Sequence, residues 1–347
     1  MAKVYLMSVT VPGDTLARLV AQADDGAIET VRAGRGGPFG AALYVCGPNG
    51  RDMVAIGGVK GNAVLETGMA SAHAEDQALC AASVAELRVI LKGRNPEETA
   101  VILASSAESC PACQAKAEIL ARILIQEKRL LPRHFVVAYG ASYAETKAVA
   151  GFNDALYHED MLRPPGQRLI SVGSRDFGSL PPEIGLLLLE HPADPAAVIA
   201  AGEECFFAGH DRRSEHFVFT REVCAIREAC EWRGNRGRAE PWNLGGATLY
   251  TFTTEPGPLA YAECQWANVT RWISLTVTGS ARWVTQEAPG IGNARLFEAV
   301  AARPYNGPES VLRVVQVTPF ANKAQQEWRA RAAENPEIFK IYNGIAG

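Results

Sequence analysis

Two hydrophobic periods alternate along the first half of the chain. Over residues 15–33 (TLARLVAQADDGAIETVRA) Leu, Val and Ala recur at helical spacing, which predicts an amphipathic helix. The glycines of GRGGPFG (34–40) then turn the chain. AALYVCG (41–47) and DMVAIGG (52–58) read as strands joined through PNGR, whose Asn-Gly pair suits a tight hairpin turn. AEDQALCAASVAELRVIL (74–91) predicts one long amphipathic helix, TAVILAS (99–105) a buried strand, and PACQAKAEILARILIQ (111–126) a helix with proline in its first turn. HFVVAYG (134–140) is a further strand. Strands alternating with helices predict an α/β domain of three layers, α/β/α, complete by about residue 160.

LRPPGQRLISVGSRDFGSLPPE (162–183) is rich in Pro, Gly and Ser and reads as a linker. Beyond it, from IGLLLLEHP, strands and helices alternate again. The expected organisation is a first domain over 1–165, a linker over 166–183 and a second α/β domain over 184–347. A chain of 347 residues is comfortable for two domains. Its 48% hydrophobic and 21% charged residues are those of a soluble globular protein. No apolar run approaches the ~20 residues that span a bilayer. The first residues are too polar for a secretory signal, so a cytoplasmic protein without a membrane partner is expected. The net charge of −4 advertises no basic face for phosphate backbones. RGNRGR (233–238) is the compact basic run and reads as a solvated loop, so no nucleic-acid partner is expected.

Chemistry enters with SAHAEDQAL (71–79) and SSAESCPACQAK (105–116). Of eight cysteines, Cys110 and Cys113 are closely spaced, which in a large intracellular chain points to a metal or redox site. Adding His73 makes one imidazole and two thiolates. Zinc takes four ligands, and a catalytic zinc keeps one position for water. Both cysteines stand at a helix start, where backbone N–H groups and the helix dipole favour thiolates. Glu75 is not needed as a ligand and is placed to move protons. A histidine on a helix is usually structural and a lone Cys-x-x-Cys can be redox-active; the combination carries the weight.

These residues resemble the H-x-E and P-C-x-x-C signature of the zinc deaminases. The chain thus resembles the cytidine deaminase-like superfamily, and within it guanine deaminases and tRNA adenosine deaminases. GGPFGAALYV (36–45) resembles the family's first strand and preceding loop. Asn62, eleven residues before His73, stands where the family has a substrate-binding asparagine. AGFNDALYHED (150–160) resembles the guanine deaminase C-terminal segment, which closes a partner subunit's pocket. The resemblance covers about residues 15–160. It implies zinc held by His73, Cys110 and Cys113, Glu75 as proton shuttle, and substrate contacts from Asn62, Phe39, Asp154 and Tyr157. Bland alternatives stand beside the last four: a turn-forming asparagine, a core phenylalanine, and with Glu159 a solvated helix end. Two positions depart from the family. Ser109 replaces the proline before the first cysteine, and Met69-Ala70-Ser71-Ala72 replaces Asp-Pro-Thr-Ala before the histidine.

The second half carries an echo. CAIREACEW (224–232) resembles the histidine motif with Cys224 for His and Ile226 for Glu, and TFTTEPGPLAYAECQW (251–266) has Gly257 and Ala260 for both cysteines. LRVVQVTPFANKAQQEW and the residues after it parallel 134–160. The expectation is two tandem cytidine deaminase-like copies, the second without metal or shuttle, forming an intramolecular pseudo-dimer; further homo-oligomers are left open. The expected reaction is zinc-dependent hydrolytic release of ammonia from a small heterocycle, guanine leading, within purine metabolism. A cytidine-like nucleoside substrate, or a zinc-stabilised binding module without catalysis, are the alternatives.

Overall fold

The apolar stripe near the N-terminus forms helix α1 (Gly13–Arg32), which buries Leu16, Leu19, Val20, Ala23, Ala27 and Val31. In the computed structural model the described residues are 10–69, 71–142, 144–146, 171–175, 183–184, 187, 197–200, 206–236, 243–251, 258–267, 269, 271–278, 282–289 and 310–337. They fall into two units. The first comprises Met1–Glu66, Ala72–Tyr157 and Arg303–Asn343, and the second takes in His158–Ala302 with two short segments.

In the first unit, α1 packs on a hairpin of β1 (Gly40–Cys46) and β2 (Val54–Gly61). The turn between them puts Asn49 at φ 54° and Gly50 at φ 74°. Two successive positive φ values are what Asn-Gly tolerates and most pairs do not. Gly40 is required by packing: a Cβ there would lie 1.9 Å from the Ala23 carbonyl oxygen on α1. A short helix α2 (Val64–Thr67) follows the hairpin.

The helix expected over 74–91 is two helices, α3 (Ala74–Ala81) and α4 (Val84–Ile90). Ala82 is extended, at φ −93° and ψ 96°, and Ser83 starts the second helix by accepting the Glu86 N–H on its Oγ at 3.0 Å. Ser-Val-Ala-Glu has the spacing of a capping box, and this local start signal overrides the apolar periodicity that runs through Ala82. Next along the chain come β3 (Ala100–Ala107), α5 (Pro111–Gln126) and β4 (Phe135–Ala141). β3 is buried along its whole length, as a central strand must be.

β3 runs antiparallel to β1 and parallel to β4. Among the described residues the sheet has five strands, and the fifth comes from far along the chain. Leu312–Gln316 pairs parallel to β4, with Leu312 opposite Phe135 and Gln316 opposite Tyr139. The helix after it, Lys323–Glu334, lies against α1, and Asp24 caps it. The Lys323 and Ala324 N–H groups donate to the two Asp24 carboxylate oxygens at 2.8 and 3.2 Å. The expected boundary assigned these elements to a 184–347 domain. They belong to the first unit, because the N–H and C=O groups of β4 need a partner along that edge. A fragment ending at residue 165 is therefore expected to unfold without cooperativity. A single sharp thermal transition by near-UV circular dichroism, with parent-like solubility, would contradict this.

Among the described residues the second unit has a six-stranded sheet. Its strands are β5 (Ser171–Arg175), β6 (Ala197–Ala200), β7 (Phe206–Gly209), β8 (Thr248–Thr251), β9 (Arg271–Thr278) and β10 (Arg282–Pro289), in the order β5-β10-β9-β8-β6-β7. β5 lies inside the expected linker: SVGSR pairs with β10 despite its glycine and two serines. Two longer helices among the described residues of this unit are α6 (Arg221–Asn235) and α7 (Pro258–Trp266); the helix Lys323–Glu334 of the first unit is α8 and the strand Leu312–Gln316 before it β11. Four strands repeat a pattern of the first unit. β2-β1-β3-β4 and β7-β6-β8-β9 each run antiparallel, antiparallel, parallel along the row. In both, a helix lies in sequence between the hairpin and the third strand (α3, α6), and another before the fourth (α5, α7). Both units are mixed α/β. Among the described residues no helix is long and apolar enough to cross a membrane.

Candidate functional site

His73 and Cys110 share a backbone role. His73 precedes α3 at φ −68°, ψ 163°, and Cys110 precedes α5 at φ −66°, ψ 162°. Each is the extended residue at a helix N-terminus, so each side chain projects from the start of its helix. Pro111 helps place the second, since its fixed φ suits the first helical position and it needs no N–H partner. Ser109 stands where proline was expected, and its carbonyl accepts the Gln114 Nε2–H at 2.8 Å. A side-chain hydrogen bond thus holds a turn that a ring would otherwise shape.

The two helix starts bring His73 Nδ1 within 3.3 Å of Cys110 Sγ and 3.7 Å of Cys113 Sγ. All three donor atoms lie within 4.8 Å of one another. Tetrahedral zinc, with bonds of about 2.3 Å to sulfur and about 2.0 Å to nitrogen, sets its N and S ligands roughly 3.6 Å apart. One nitrogen and two sulfurs at this spacing fit a borderline-soft metal ion, and the cluster can hold one.

Crowding shifts the three groups in opposite directions. Burial opposes the Cys110 thiolate, but the hydrogen bond from Cys113 and the positive charge of His73 outweigh it and hold the thiol well below its usual range. Cys113, donating that hydrogen bond and buried, is pushed well above it. Burial disfavours imidazolium at His73, yet the Cys110 thiolate raises it overall. A metal ion needs the imidazole neutral and both thiols ionised, so binding one here would release protons.

Glu75 sits in the first turn of α3, 5% exposed, and its Oε1 accepts the Ser105 Oγ–H at 3.0 Å. Ser105 is wholly buried on β3. Burial raises the Glu75 carboxyl above its ordinary value, and the Cys110 thiolate adds to the rise, while His73 and Ser105 hold part of it back. A carboxyl so tuned accepts and returns a proton more readily than one on the surface. Ser105 was missed in the sequence, where one serine in a buried strand is unremarked.

Asn62 and Phe39 form a second group. Asn62 is buried, and its Oδ1 accepts N–H groups from Gly37 at 3.3 Å and Val64 at 3.2 Å. Its own N–H donates to the Phe39 carbonyl at 2.9 Å. The carboxamide oxygen therefore ties the 36–39 loop to the residues after β2, the turn-forming role first set beside substrate contact. Asp154, Tyr157 and Glu159 lie outside the described residues.

Helix starts also change the match to the second unit. α6 begins at Arg221, and Thr220 precedes it, accepting the Val223 N–H on Oγ1 at 3.4 Å. Matching first residues puts Thr220 at the place of His73 and buried Glu222 at that of Glu75. Cys224 and Ile226, matched by letters alone, fall within the helix four residues later. For α7, which begins at Pro258, the match keeps Ala260 at the place of Cys113. Gly257, at that of Cys110, lies outside the described residues.

No protein-family model matches the chain, and no curated protein matches it. Among solved structures it is similar to a guanine deaminase from Bacillus subtilis, with 22% identity, TM-score 0.30, and coverage of 50% of this chain and 92% of that one. It is also similar to NE0047 in complex with 2,6-diaminopurine, with 24% identity, TM-score 0.26, and coverage of 42% and 65%. A variant of NE0047 with 8-azaguanine gives 22% identity, TM-score 0.26, and coverage of 44% and 79%.

Proposed function

We propose that this chain is a metal-dependent hydrolytic deaminase acting on an aminopurine or a related small heterocycle. The observation that carries the reading is Glu75: a buried carboxyl, held by Ser105, two residues after His73 of a His-Cys-Cys donor set. A purely structural metal site needs the three donors and has no use for this carboxyl. His73, Cys110 and Cys113 would hold zinc, which when bound supplies Lewis acidity and makes water a nucleophile near neutral pH. Glu75 accepts the proton lost by that water. It delivers that proton to the ring nitrogen beside the amine-bearing carbon as the water oxygen bonds to that carbon. It then takes the second proton from the new hydroxyl and passes it to the amine, so that the C–N bond breaks, ammonia leaves and the hydroxyl becomes a carbonyl. The Ser105 hydroxyl keeps the carboxyl in place through both transfers.

The matched helices and strands support reading the second unit as a copy that has lost its donors. Threonine, glycine and alanine at the three matched positions offer no imidazole or thiolate. About one equivalent of zinc per chain is therefore expected. Cys110→Ser should lower it to below about a tenth. Metal content by plasma mass spectrometry checks both, and two equivalents in the parent would contradict the reading.

Ammonia release by the zinc-loaded protein tests the activity. The panel is guanine, 2,6-diaminopurine, 8-azaguanine, adenine, cytosine and their nucleosides. Release from a purine supports the proposal; release from cytidine alone moves the substrate to the nucleoside class. Silence across the panel with zinc bound favours the binding module.

A further inference from the structure

Between the two helices that carry the metal donors lies a buried ion pair with no part in the proton transfers above. Lys116 Nζ donates to Asp76 Oδ1 at 2.6 Å, and both side chains have zero exposure. Lys116 is among the largest fully buried side chains of the described residues. Desolvating an ammonium and a carboxylate is costly, and two apolar side chains of the same volume would fill the space without that penalty. The charges therefore call for a reason.

Their positions supply one. Asp76 follows His73 by three residues at the start of α3, and Lys116 follows Cys113 by three on α5. Residues three apart on a helix share a face. The pair thus joins α3 to α5 one turn behind the donors, the cation on the thiolate side and the carboxylate on the imidazole side. Its polarity matches that of the donor set, with positive charge behind the anionic ligands. The carboxylate is held by further donors: Cys80 Sγ–H reaches Asp76 Oδ1 at 3.6 Å, and Gln77 Nε2–H reaches Oδ2 at 3.3 Å.

We propose that Asp76 and Lys116 are the positioning pair of the metal centre, setting the spacing of His73 against Cys110 and Cys113 and the field behind the thiolates. The inference rests on the metal reading above. It makes metal affinity, and not stability alone, depend on the pair.

The test uses two neutral replacements in the full chain, Asp76→Leu with Lys116→Met and Asp76→Asn with Lys116→Gln. Zinc affinity is measured by competition with a chromophoric chelator, and the thiolate-to-metal absorption bands are recorded with cobalt(II). Folded neutral pairs are expected to bind zinc about 10–100-fold more weakly than the parent, as outer partners of metal ligands do, with shifted cobalt bands. The inference is overturned if a folded neutral pair matches the parent in zinc affinity and cobalt bands. It is also overturned if neither pair folds, since the ions then serve the fold alone. A parent chain that takes up no zinc or cobalt would instead overturn the metal reading itself, and this inference with it.

Discussion

Glu75→Gln is expected to keep zinc bound and to slow ammonia release by about 10²–10⁴-fold, the range that a positioned general acid–base supplies. Glutamine preserves the volume and can still accept the Ser105 hydroxyl hydrogen bond through its carbonyl oxygen. It cannot carry a proton. The substitution therefore separates proton transfer from packing, because Glu75 is buried and its replacement by alanine would also open a cavity. Steady-state release on the best substrate of the panel, beside zinc content of the same preparation, reads the two effects apart. Retained zinc with unchanged turnover would remove Glu75 from the chemistry. Ser105→Ala is expected to act in the same direction and more weakly, since the carboxyl can still carry a proton but loses the donor that orients it.

Lys116→Met is expected to destabilise the chain by about 3–5 kcal/mol, the range for breaking a buried ion pair by removing one partner. Methionine fills most of the lysine volume, so packing changes little. What remains is the Asp76 carboxylate, wholly buried, which still accepts hydrogen bonds from Cys80 and Gln77. Neither carries a charge to balance it. The loss is large against the ~5–15 kcal/mol by which domains are stable. Urea unfolding followed by fluorescence gives the difference. A loss below about 1 kcal/mol would mean that water or a protonated Asp76 replaces the lysine at little expense. By contrast, the exposed pair of Arg32 with Glu327, though only 2.9 Å apart, is expected to contribute little when removed, because solvent screens it.

The elements were legible in the sequence to different degrees. α1, α5 and the strands of the first unit follow from local periodicity, and the Asn-Gly turn from backbone chemistry. The break between α3 and α4 did not follow, since the apolar spacing runs through Ala82 while the Ser83 cap competes with it. β5 was hidden in a Gly- and Ser-rich segment whose pairing with β10 has no local signature. The four-residue shift between letter matching and helix matching in the second unit has a similar cause. A cysteine and an alanine in mid-helix resemble a motif in text, but the helix start decides which side chain projects.

The sequence by itself determined the donor set: one imidazole, two thiolates and a nearby carboxyl, with two helices to present them. Ligand chemistry is carried by residue type and spacing, and both are visible in a string. Tertiary structure alone decided which strand completes the first sheet, which hydroxyl holds Glu75, and which two charges lie buried behind the metal cluster. Ser105 and Glu75 are 30 residues apart, Asp76 and Lys116 are 40, and Gln316 reaches back 171 residues to Glu145. Pairings at such separations leave no local period. They arise when the sheet and helices have packed and each buried polar group must find a partner.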